Sequence, residues 1–161
     1  FCIFNYNMAN SNEKTVKPVK KIKKVLVVGD GGVGKTSLIN ACFKYDCSEK
    51  TFKSIFGIDI HKKNSYVICD LPGYETYGNT CRNLDNINIC IIMYDVTNKK
   101  SYKNVNQWKK KVLDECGAEK FIIIGNKIDH NDQKINDENT INISIKRRHN
   151  ILRLLQEIDC I

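Results

Sequence analysis

Gly29-Asp30-Gly31-Gly32-Val33-Gly34-Lys35-Thr36 is a stretch in which residue type and spacing dictate a chemistry. It matches G-x-x-x-x-G-K-[ST], where glycines let backbone N–H groups turn inward around phosphate oxygens and a following helix N-terminus adds partial positive charge. In that pattern Lys35 reaches the β- and γ-phosphates of a nucleotide and the Thr36 hydroxyl holds Mg²⁺. The plain alternative is a glycine-rich turn that closes a strand. A strand pattern before the glycines and a helix pattern after them favour the phosphate cradle. A second motif, Asn126-Lys127-Ile128-Asp129, directly follows an apolar run. Guanine offers donors at N1 and N2, so a carboxylate that accepts both rejects adenine. Asp129 is placed to be that carboxylate, and Asn126 to read the acceptor edge or to brace the loop. Between the two lies Asp70-Leu71-Pro72-Gly73, an Asp-x-x-Gly. Four-residue motifs are weak alone; three in this order, each after its own strand, are a strong signal. An ATP-using kinase is disfavoured by Asp129 and by the lack of an arginine-rich lid.

The elements that must carry these loops are legible from periodicity. Val25 to Val28 is an uninterrupted β-branched run of the kind found in buried parallel strands. A helix is expected from about Gly34 to Phe43, then an irregular polar segment, 44–53. Ile58-Asp59-Ile60 and Tyr66 to Cys69 read as a hairpin, and Ile89 to Tyr94 as a second buried strand. An amphipathic helix follows at 105–116, with Val105, Trp108 and Val112 at helical spacing, so Trp108 reads as core. Phe121 to Gly125 is the fifth strand. Thr140 to Ile143 is the sixth, and a terminal helix places Ile151, Leu154, Leu155 and Ile158 on one face. Strands alternating with helices specify an α/β fold with a mostly parallel central sheet flanked by helices.

The 161 residues and 42% hydrophobic content suit one domain, and the longest apolar runs are far shorter than the roughly 20 residues of a membrane-spanning helix. Of the net charge of +8, residues 1–24 supply +5 through six lysines against Glu13. A lysine arm on a near-neutral body is the pattern of a plain solvated tail, with weak attraction to anionic membrane as the sharper alternative, and not of a nucleic-acid surface. We therefore expect a flexible arm over 1–23, a nucleotide domain over 24–161, and no nucleic-acid partner. No signal peptide is recognised before Met8, which is an alternative start. The eight cysteines lack Cys-x-x-Cys spacing and read as reduced thiols of a cytoplasmic protein. His61, His130 and His149, without a matching carboxylate or cysteine cluster, read as surface residues.

On the phosphate loop with Ser37-Leu38, Gly57 to Ile60, Asp70 to Glu75, Tyr94-Asp95-Val96-Thr97, Ser101, Val105, Trp108, Gly125 to Asp129 and Ser144-Ile145-Lys146, the chain resembles the small Ras-like GTPases, and among them the Rab family. The resemblance implies the P-loop NTPase fold and a GTP/GDP switch in vesicle traffic or signalling. It implies effector, exchange-factor and activating proteins as partners of a monomer that is cytoplasmic or peripheral on a membrane. It implies nucleotide contacts from Gly31, Gly32, Val33, Gly34, Lys35, Thr36, Ser37, Gly73, Asn126, Lys127, Asp129, Ser144, Ile145 and Lys146. Asp70 would hold Mg²⁺ through water beside Thr36, the Gly73 N–H would sense the γ-phosphate, the Ile145 N–H would contact guanine O6, and Lys127 and Lys146 would pack along base and sugar.

The pattern breaks where GTP is hydrolysed and read out. Lys35 is kept among the catalytic positions, but the position of the family's water-orienting Gln is Tyr74, and a phenol cannot present an amide's paired donor and acceptor. The position of the Mg²⁺-binding switch Thr is Ile55, with Ser54 adjacent. The aromatic over the nucleotide is either Tyr45 or Phe52. The hairpin between Asp59 and Asp70 is about eight residues short of a Rab, a trimming such loops tolerate. Only residues 130–139 remain for the crossover after the fifth strand, room for a turn of helix at most, so one face of the last strands is expected to lack cover. Those short regions fit either a minimal domain or a lost segment. Asp159-Cys160-Ile161 is neither a C-a-a-X box nor a paired cysteine, so prenylation of Cys160 is not expected. The alternative to an active switch is a GTP-binding scaffold without effective hydrolysis.

Overall fold

Val25 to Gly29 are buried throughout, and the strand they belong to, β1 (Lys23–Gly29), is the centre of the sheet. The computed structural model describes residues 22–43, 51–53, 59–63, 66–71, 84, 86–118, 120–130 and 137–160. In chain order β1 is followed by α1 (Lys35–Phe43), β2 (Thr51–Lys53), β3 (Asp59–Lys63), β4 (Tyr66–Asp70) and β5 (Ile89–Asp95). Then come α2 (Lys99–Lys103), α3 (Val105–Cys116), β6 (Lys120–Asn126), β7 (Thr140–Asn142) and α4 (Ile151–Cys160). Among the described residues the sheet has seven strands in the order β2-β3-β4-β1-β5-β6-β7. The β4-β1-β5-β6-β7 portion is parallel, and β2 and β3 extend it antiparallel at one edge.

Side chains alternate across a strand, so each buried strand feeds two cores. Val25 and Val27 pack with Leu38 and Ile39 of α1 and with Ile151, Leu154 and Ile158 of α4. Leu26 and Val28 face the other way, onto Val105, Trp108 and Val112 of α3. Both faces of β1 are covered, which is why its sequence shows no polar alternation. Cys42, Cys69, Cys90 and Cys116 are buried thiols in these cores, not disulfides.

The elements differ from the sequence reading in four places. Thr51–Lys53, placed in an irregular segment, is a strand on β3, and the strand counted fifth is therefore the sixth, β6. Lys99–Lys103 is helical although no apolar period marks it. The Asn98 side chain caps it by accepting from the N–H groups of Lys100 and Ser101, and the Ser101 hydroxyl donates back to the Asn98 carbonyl at 2.7 Å. The last strand stops at Asn142, yet the Ile143 N–H still donates to the Gly125 carbonyl at 2.8 Å. β1 itself begins at Lys23, one residue ahead of the expected domain start.

Among the described residues no helix lies between β6 and β7. On the α1–α4 side of β6, Ile122 and Ile124 are buried. On the α3 side Phe121 and Ile123 are half-exposed. The short crossover thus coincides with the thinner cover, and β7 turns the polar Thr140 and Asn142 toward that side, in register with Ile123 and Gly125. Residues 131–136 of that connection lie outside the described residues.

Candidate functional site

β1 is flanked by β4 on one side and β5 on the other, so the chain order reverses there. Ligands of open α/β sheets bind outside the carboxyl ends of the strands at such a switch point. That end of the sheet carries Gly29 on β1, Asp70 on β4, Asp95 on β5 and Asn126 on β6.

The loop that leaves β1 needs glycine at two places for steric reasons. A Cβ on Gly29 would lie 2.2 Å from the Met93 carbonyl oxygen, and one on Gly34 would lie 2.6 Å from Asn126 Nδ2, with φ of +142° and +105° respectively. Lys35, at the first turn of α1, folds back over this loop. Its ammonium donates to the carbonyl oxygens of Gly29 (2.8 Å) and Asp30 (2.9 Å). Burial lowers its pKa below 10.5, opposed by the nearby carboxylates of Asp70 and Asp30. An ammonium has three N–H donors, so one can point into the loop. Thr36 Oγ1 donates to Asp70 Oδ2 at 2.8 Å, bringing together two hard oxygen groups of the type that suits Mg²⁺.

The other half of the site is built on β6 and the segment after β7. Asn126 braces two loops. Its Nδ2 donates to the Val33 carbonyl at 2.9 Å, and its Oδ1 accepts from the Ile145 N–H at 3.4 Å. That N–H, expected to face guanine O6, is directed at Asn126 in this structure. Ser144 is buried, and its hydroxyl donates to Asp129 Oδ1 at 2.6 Å while accepting from the Arg147 N–H at 3.1 Å. The Ser144 hydrogen bond holds the Asp129 carboxyl below its ordinary range, so it is ionised at neutral pH. Lys127 adopts φ of +70° and its ammonium pairs with Asp95 Oδ2 at 2.6 Å. Burial pushes the Asp95 carboxyl up, but hydrogen bonds from Lys127 and from the Thr97 N–H and hydroxyl outweigh it and leave it lowered.

These residues enclose two adjoining cavities. One, of about 330 Å³, lies among Asn126, Lys127, Asp129, Ile145 and Lys146. The other, of about 360 Å³, lies among Gly31, Lys35, Thr36 and Leu71. Gly32, Gly34 and Ser37 line both. Gly73, Tyr74, Ile55, Ser54, Tyr45 and the lysine arm over 1–21 lie outside the described residues, as does the side chain of Phe52.

Sequence reasoning missed three participants. Asp95 sits at the end of a buried strand, as Asp70 does, and that position could have flagged it. His130 is exposed, as expected, but it does have a carboxylate partner: its Nε2 lies 3.3 Å from Asp129 Oδ2 on the rim of the smaller cavity. Trp108 is core, but its indole N–H also donates to Asp30 in the phosphate loop at 2.8 Å.

The Ras family profile matches residues 24–152. The Ypt/Rab-type GTPase YPT7 of Saccharomyces cerevisiae is 32% identical over 133 residues, covering 71% of this chain and 62% of that protein. The chain therefore spans less than two thirds of that relative's length. Because the family match begins in β1 and ends inside α4, enclosing every loop that shapes the two cavities, the chain belongs to the Ras family of small GTPases.

Proposed function

We propose that the chain binds GTP and GDP and works as a Rab-like guanine-nucleotide switch in vesicle traffic or signalling. The observation that supports this most is the pairing of two recesses on one sheet end, with Lys35 and the Thr36–Asp70 pair in one and the Ser144-held Asp129 in the other. The ionised Asp129 accepts from guanine N1 and N2, which adenine cannot satisfy. Backbone N–H groups of 31–36 and the Lys35 ammonium take the phosphates. Thr36, and Asp70 through water, would hold Mg²⁺, which when bound neutralises phosphate charge. Lys127 and Lys146 flank the base and sugar, and Ser37 the α-phosphate side of the loop. Loops 44–57 and 73–84 are the segments that would reorganise and meet effector, exchange-factor and activating proteins. The lysine arm adds weak attraction to anionic membrane.

A second reading, a GTP-binding scaffold, is favoured by Tyr74 and Ile55, which stand where the family uses Gln and Thr. The first test is the nucleotide content of natively purified protein, read by chromatography after acid release. Near-stoichiometric GDP or GTP is expected; adenine nucleotide, or none, sinks the proposal. Single-turnover GTP hydrolysis then separates the two readings. Robust wild-type turnover eliminates the scaffold, whereas turnover that emerges only in the double change Tyr74→Gln, Ile55→Thr supports it.

A further inference from the structure

An acidic side chain in a phosphate loop is electrostatically unwelcome, and Asp30 is one. The structure shows what restrains it. Asp30 Oδ1 accepts from Trp108 Nε1 and Oδ2 from Asn104 Nδ2, each at 2.8 Å, so both carboxylate oxygens are engaged by one turn of α3. The two donors stand four residues apart on that helix, joined by the Trp108 N–H to the Asn104 carbonyl at 3.0 Å. Asn104 occupies the N-cap position of α3 and makes no side-chain cap bond there; its amide goes to Asp30 instead. Its backbone is helical there (φ −77°, ψ −11°), continuing α2 into α3 with its own N–H on the Lys100 carbonyl at 3.1 Å, so its side chain is left to reach the loop. The same Asp30 offers its carbonyl oxygen to the Lys35 ammonium at 2.9 Å. Asp30 is therefore fixed through its side chain by α3 while its backbone orients the lysine that meets phosphate.

We propose that Trp108 and Asn104 are positioning residues for the nucleotide. Through Asp30 they turn a carboxylate away from the phosphates and set the peptide that aims Lys35. The proposal rests on the guanine-nucleotide reading and adds to it a link between the α3 face and the phosphate loop. Trp108 is the only tryptophan in the chain, so the link also carries its own optical signal.

The test is a cycle of Trp108→Phe and Asp30→Ala on the full chain, reading GDP dissociation with a fluorescent GDP analogue and stability by urea midpoint. Loss of one charge-assisted hydrogen bond predicts GDP release about tenfold faster in Trp108→Phe, and no further acceleration when it is added to Asp30→Ala. Asn104→Ala, which leaves the core untouched, is expected to accelerate release in the same Asp30-dependent way. Trp108 emission in the wild type is expected to shift on GDP addition. A Trp108→Phe effect of equal size with and without Asp30, or a lowered urea midpoint with unchanged release, assigns Trp108 to packing alone and overturns the proposal. Calorimetry of the wild type with GDP separates the two levels. Binding with no change of release in any variant overturns the positioning role and leaves the nucleotide reading standing, and absence of GDP binding overturns both.

Discussion

Adding one methyl group at Gly34 should uncouple the two halves of the site. The backbone there has φ of +105°, and a Cβ would stand 2.6 Å from Asn126 Nδ2 and 3.4 Å from Ile145 Cδ1. Holding a non-glycine residue in that region costs about 1–3 kcal/mol. The Asn126 amide is buried, and pushing it from the Val33 carbonyl strands a buried donor, at about 1–3 kcal/mol more. Gly34→Ala is therefore expected to lose about 4 kcal/mol of stability, or about 8–16 °C in Tm for a domain of this size. The control is Gly31→Ala, two residues from the tightest contact, where a Cβ meets nothing within 4 Å. Its stability is expected to stay within about 0.5 kcal/mol of wild type. Urea unfolding followed by circular dichroism in nucleotide-free buffer measures both, since bound nucleotide would add its own stabilisation by mass action. A Gly34→Ala loss below about 1 kcal/mol, or one no larger than that of Gly31→Ala, would refute the brace between the phosphate loop and Asn126.

Other outcomes follow from the same geometry. Leu154 is fully buried on α4 against the β1 face, so Leu154→Ala should cost about 2–5 kcal/mol, while Leu152→Ala, at an exposed position of the same helix, should cost almost nothing by urea unfolding. Burial, and then the hydrogen bond and charge of Asp159, push the Tyr66 phenol from 10.0 up to about 12. Because the folded state prefers the neutral phenol, its stabilisation is whole below pH 10 and is lost as pH rises through about 12, and Tyr66→Phe should flatten that part of the stability profile. Chelation of Mg²⁺ should speed GDP release, and Asp70→Asn should blunt that response, as read by stopped-flow exchange.

Most of the parallel sheet and the strand ends that carry the motifs were legible because they follow from local pattern. Val25 to Val28 and Ile89 to Tyr94 are buried on both faces and so read as unbroken apolar runs, and Gly29 and Gly34 stand where bulkier residues would collide with Met93 and Asn126. What escaped was set by neighbours distant in the chain. Thr51–Lys53 carries no strand pattern and is a strand because β3 offers an edge. Lys99–Lys103 is helical through Asn98 and Ser101, a capping signal within polar sequence. Asp30 and Trp108 stand 78 residues apart, and only the placement of α3 over the end of β1 brings them within 2.8 Å. The expected lack of cover over one face of the last strands turns on the connection after Asp129, of which residues 131–136 lie outside the described residues.

The central claim is that Asp129, held by Ser144, selects guanine at the end of a sheet whose phosphate loop carries Lys35 and Thr36. Calorimetric titration of nucleotide-free protein with GDP and with ADP, in Mg²⁺, tests it most directly. The account predicts saturable GDP binding at one site per chain and ADP at least about a hundredfold weaker, since adenine leaves the buried acceptors unmatched. Equal affinity for the two nucleotides, or no heat with GDP, would contradict it.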